Sequence, residues 1–122
     1  MKSDKTLKKW YNFINKKYFL NELPGCVCVR YINEEDIDEE EKCEERYRGW
    51  ADKTNESRYH KYVIVIVPDG RISEIATLVH EMIHIATNLR DDHGPVFEAK
   101  RQMISDRGIF KKGAIYKGYT LF

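Results

Sequence analysis

The chain has 122 residues, 42% of them hydrophobic and 34% charged, with a formal net charge of +1. That length supports one domain with a single core, here 1–122, and leaves little room for a second. The balance fits a globular chain, and the longest apolar run, Val63 to Val67, falls far short of the roughly 20 residues of a membrane helix.

The net charge hides an uneven distribution. Residues 1–20 hold six lysines against one aspartate, residues 33–45 nine acids against one lysine, and residues 98–117 six basic residues against two acids. Solvated helix faces account for such segments most simply. The two basic ones leave open a weak contact with nucleic acid, chiefly through the N-terminal helix. The N-terminus carries no apolar signal segment. Cys26, Cys28 and Cys43 are an odd number and form a poor disulfide framework. Both observations predict reduced cysteines and a cytoplasmic location.

In chain order, residues 4–20 read as a helix. Leu7, Trp10, Tyr11, Ile14 and Tyr18, with Phe13 beside them, recur at three- and four-residue spacing, and Ser3 or Asp4 is placed to cap it. Asn21 to Gly25 breaks it. Cys26 to Ile32 reads as a strand, and the acidic run Asn33 to Glu45 as a solvated helix or loop. Arg46 to Asp52 is a second strand with a glycine irregularity, Lys53 to Ser57 a turn, and Tyr59 to Val67 the clearest strand, closed by Pro68-Asp69-Gly70. A helix follows from Ile72 to Leu89, its buried stripe made of Ile72, Ile75, Ala76, Val79, Met82, Ile83, Ala86 and Leu89. Arg90 to Asp92 is a loop. His93 to Arg107 is helical again, with Phe97, Arg101 and Ile104 on one face, and Gly108 stops it. Residues 109–122 are expected to be a short strand or an ordered tail. The sum is an α+β fold: a small antiparallel or mixed sheet packed against the N-terminal helix and the helix over 72–89.

That later helix contains His80-Glu81-Met82-Ile83-His84. Two histidines four residues apart project from one face, so both imidazoles reach a single metal ion. Glu81 lies one position round from His80, close enough to serve a metal-bound water as general acid/base without ligating the metal. Catalytic zinc usually takes three protein ligands, and only His60 and His93 remain among the histidines. His93 follows His84 by nine residues, just past the helix end, and is the assigned third ligand. Asp91, Asp92 or Glu98 are the fallback carboxylates. Tyr116, Tyr119, Lys111 and Arg101 are candidates to stabilise an oxyanion, and the sequence does not choose among them. Zn2+ is the expected cofactor, although three imidazoles suit several first-row metals.

Thr77-Leu78-Val79-His80-Glu81-Met82-Ile83-His84, followed after a short spacer by His93-Gly94-Pro95-Val96-Phe97, resembles the SprT-like metallopeptidases. The resemblance is strong over 75–97 and extends loosely over 8–106. It implies a zincin-like core, zinc held by His80, His84 and His93, and Glu81 as general acid/base. It also implies a protein or peptide substrate, in this family often DNA-associated. Many relatives carry a C-terminal four-cysteine ribbon, whereas no cysteine follows residue 107 here, so the chain resembles a minimal version. The first expectation is therefore a zinc metalloendopeptidase. The alternatives are a zincin-like binding module and a nucleic-acid-associated accessory protein without turnover.

Overall fold

The computed structural model describes residues 2–33, 48–55, 59–90 and 93–115. The acidic run 34–45, Cys43 and residues 116–122 lie outside the described residues, as do Asp91 and Asp92. Among the described residues, three helices and three strands follow in the order α1 (Lys5–Tyr18), β1 (Val27–Tyr31), β2 (Gly49–Lys53), β3 (Tyr62–Ile66), α2 (Arg71–Ala86) and α3 (Pro95–Asp106). The fold is α+β, as expected, and the sheet is mixed. β3 is central, parallel to β1 and antiparallel to β2. Among the described residues, no helix is long and apolar enough to cross a membrane.

Alternation along the strands sorts the side chains. Val27, Val29, Ile64 and Ile66 join the main core beneath the helices, while Cys28, Val63 and Val65 cluster with Trp50 and Ile32 on the opposite face. A central strand buried on both faces needs a continuous apolar run, and Val63 to Ile66 supplies it. The strand is shorter than the expected 59–67. Tyr59 is largely exposed, and the Lys61 amide turns to the Cys26 carbonyl. Cys26 precedes β1, and neither it nor Cys28 is in a disulfide.

α1 starts where Asp4 accepts hydrogen bonds from the Thr6 and Leu7 amides, so Asp4 is the cap. Its core face is Leu7, Tyr11, Ile14 and Tyr18. Phe13 is 43% exposed, a departure from the expected stripe. Asn15 takes the buried place, and its amide clamps both polar groups of the Leu23 backbone at 3.1 Å. That clamp holds the break, where Leu20 and Asn21 adopt left-handed φ of 53° and 61°.

α2 lies over β2 and β3 and also meets α1 and α3. It is consequently apolar on more than the expected stripe, with Leu78 and Ile85 buried as well. Gly49 explains how close it comes to the sheet. A Cβ there would meet the Val65 carbonyl oxygen at 2.5 Å and Thr77 Cγ2 at 2.8 Å. The expected irregularity is thus a regular strand start whose glycine admits the helix. At the N-terminus of α2, the buried Glu74 carboxylate accepts from the Tyr31 hydroxyl and the Asp69 amide. Burial, and then that bond to Glu74, push the Tyr31 hydroxyl pKa up to about 12. α3 contributes Phe97 and Ile104 to the core, and Arg107 ties its end to the Tyr18 carbonyl at 2.6 Å. Residues 109–115 form turns, not a strand, and Ile109 is fully buried.

Candidate metal centre

α2 ends at Ala86, three residues short of the expected Leu89, and this shortening builds the site. The Thr87 hydroxyl bonds back to the Ile83 carbonyl at 3.0 Å, and the Leu89 amide to the His84 carbonyl at 2.8 Å. Asn88 and Leu89 then take left-handed φ of 57° and 56°. Asparagine tolerates that region and leucine does not, so the turn needs outside support. Some comes from the Tyr62 hydroxyl of β3, which donates to Asn88 Oδ1 at 3.1 Å. Two left-handed residues in succession reverse the chain against the helix it has just left.

The reversal delivers His93. Gly94 is the N-cap of α3 and Pro95 sits in its first turn, where proline's fixed φ suits a helix start. The residue before a proline is driven out of the helical region, and Gly94 is extended at φ −81° and ψ −162°. His93 therefore stands outside α3, which starts two residues later than the expected His93.

His80 Nε2 lies 2.9 Å from His93 Nε2 and 3.2 Å from His84 Nε2. The ring centroids form a near-equilateral triangle with sides of 4.9, 4.8 and 5.0 Å. Imidazole nitrogens this close need a proton or a cation between them, because two lone pairs would repel. A tetrahedral zinc with bonds of about 2.0–2.1 Å sets its ligand nitrogens about 3.3 Å apart, so the donor set fits a metal ion. His80 and His84 are half-buried and His93 is exposed, so the cluster opens to solvent on the His93 side.

Phe97 completes the centre, and its role was not foreseen beyond a shared helix face. Its ring is 2% exposed and lies 5.0, 4.5 and 5.1 Å from the rings of His80, His84 and His93. One apolar residue thus floors all three imidazoles and limits how they rotate. The signal was present in the sequence: Phe97 stands four residues after His93, one turn into the helix that follows.

Glu81 is buried at 6% exposure on α2 beside His80. Among the described residues, no buried side-chain polar atom lacks a hydrogen-bond partner. The exposed Glu98 does not join the cluster, nor does His60. Arg101 stacks over the Phe110 ring at 5.1 Å and Lys111 is exposed, while Tyr116 and Tyr119 lie outside the described residues.

Comparison of the chain with protein families, with curated proteins and with solved structures returns no match.

Proposed function

We propose that the chain is a zinc-dependent peptidase of zincin-like architecture, acting on protein or peptide substrates. The observation that carries the reading is the convergence of His80, His84 and His93 Nε2 atoms beside the buried Glu81. The element order supports the architecture: an N-terminal helix, a mixed sheet with an antiparallel edge strand β2, then a helix that bears the histidine pair.

His80, His84 and His93 would hold the ion, and a substrate would approach from the exposed His93 side of the cluster. When bound, zinc supplies a Lewis acid that polarises a carbonyl and lowers the pKa of water. Glu81 supplies the proton traffic. Its carboxylate accepts a proton from the attacking water, and the resulting carboxylic acid passes it to the departing amine. Burial of Glu81 keeps bulk water from competing for that proton. Phe97 keeps the three rings in register on the apolar side, so little reorganisation is required of them.

Glu81→Gln tests the mechanism. The variant is expected to keep one zinc per chain and to lose roughly 10²–10⁴-fold in turnover of an unfolded protein substrate. Cleavage by the variant at the parent's rate would overturn the assignment. A protein that takes up no zinc would overturn the whole reading.

A further inference from the structure

α1 carries a second stripe beside its core face, with Trp10 half-buried against the edge of the core and Phe13 exposed. Thr6, Lys9, Phe13 and Lys17 follow one another at three- and four-residue steps, with Trp10 four residues after Thr6 and three before Phe13, and helix geometry aligns them. Thr6, Lys9, Trp10 and Phe13 line a groove of about 340 Å³ whose far wall is Ile115. Ile115 brings the segment after α3 to this groove, and the neighbouring Ala114 carbonyl accepts from the Tyr18 hydroxyl of the core face at 3.5 Å. The floor is apolar. Its rim is cationic: Lys9 lines it, Lys17 Nζ sits 5.6 Å from the Phe13 ring, and α1 contains no acidic residue. Arg107, Lys111 and Lys112 extend the positive charge along the adjoining segment, which also lacks acids.

We propose that this groove docks an acidic protein segment through one large apolar side chain. A concave apolar pocket ringed by charge is the usual form of a protein anchor site, with the anchor supplying affinity and the rim supplying orientation and rate. Charge complementarity selects glutamates and aspartates around the anchor. The geometry favours a peptide over a nucleic acid. Trp10 and Phe13 meet edge to face at 88°, so they offer a cleft for a leucine or phenylalanine and no common plane for stacked bases. Lys8 takes no part, because its ammonium is turned inward to the carbonyls of Gly25 and Val27. The inference stands apart from the histidine site and survives its failure.

Fluorescence anisotropy with a short glutamate-rich peptide bearing one central leucine tests it. The full chain is expected to bind the peptide saturably, and replacing that leucine by alanine is expected to weaken binding about tenfold or more. Phe13→Ala removes a groove wall at an exposed position and is expected to do the same. Lys9→Glu, also exposed, is expected to weaken binding most at low salt, with the helical circular dichroism and zinc content of both variants unchanged. The proposal is overturned if the alanine peptide binds as well as the leucine peptide, or if neither variant alters binding. It is equally overturned if no saturable binding occurs, or if an oligothymidine binds more tightly and displaces the peptide.

Discussion

His80 and His84 share one helix, whereas His93 reaches the same point on a turn folded back against that helix. The two regions are supported very differently. α2 is anchored at its start through Glu74 to Tyr31 and the Asp69 amide, pressed onto the sheet over Gly49, and buried along much of its length. The described part of the turn, Thr87 to Arg90, is held by the Thr87 hydroxyl and by a bond between Tyr62 and Asn88, and His93 stands before the helix start at Pro95. Its two left-handed residues each cost energy, roughly 1–2 kcal/mol for an ordinary side chain, that the rest of the fold must offset. The histidine pair is therefore held by the packed length of α2, whereas the third imidazole is carried between that turn and the start of α3.

Removing the third imidazole is the strongest way to break this comparison. His93→Ala should lower metal affinity by more than the roughly 10–100-fold typical of outer-shell losses, while leaving thermal stability of the metal-free protein unchanged, because His93 is exposed. Competition with a chromogenic chelator measures the first and calorimetry the second. Undiminished affinity would show that the turn does not supply a ligand.

Phe97→Ala attacks both regions at once. Truncating a fully packed phenylalanine should cost about 3–5 kcal/mol, read from denaturant unfolding of the metal-free protein. Metal affinity should fall with it, since the floor under all three rings is lost. A loss of stability without any loss of affinity would make Phe97 a core residue only.

Tyr62→Phe sharpens the comparison by touching the turn alone. The lost bond to Asn88 is partly exposed, so its contribution is about 0.5–1 kcal/mol, a change of a few-fold in metal affinity. The absorption spectrum of the cobalt-substituted protein is the sensitive readout, because it reports ligand geometry directly. An unchanged spectrum and affinity would mean that the turn holds its shape without this brace.

The smallest effect tests the opposite end, where α2 is anchored. The folded Tyr31 pKa of about 12 stands above its ordinary value of about 10. The folded state holds this proton more tightly, so the contribution of Tyr31 to stability is intact below pH about 10 and is lost as pH climbs towards 12. Burial raises the Tyr11 hydroxyl as well, and the difference between parent and Tyr31→Phe isolates the Tyr31 share. Stability curves of equal steepness for the two proteins would show that Tyr31 does not anchor the helix through its proton.

Much of this molecule was legible before any coordinates. α1, β1, β3 and α2 were readable because each carries its own period, three to four residues on the helices and an unbroken apolar run on β3. Phe13 reads as part of the buried stripe and Asn15 does not, because helical periodicity identifies a face but does not say where the core stops. Asn15 lies inside because the Leu23 backbone needs its amide there. Gly49 read as an irregularity because nothing local announces that Thr77, far along the chain, will press against it.

The site divides along the same line. Local geometry alone determined that His80 and His84 share a helix face with Glu81 beside them, since four residues make about one turn. His93-Gly94-Pro95 likewise reads as a helix start, although the helix itself begins two residues later, at Pro95. Only the tertiary structure decided that His93 closes the triangle, that Glu98 stays outside it and that Phe97 lies under all three rings. Spacing constrains neighbours within one element. The path of a chain between two elements depends on backbone conformations such as those of Asn88 and Leu89, which hold only while the packing around them offsets their cost.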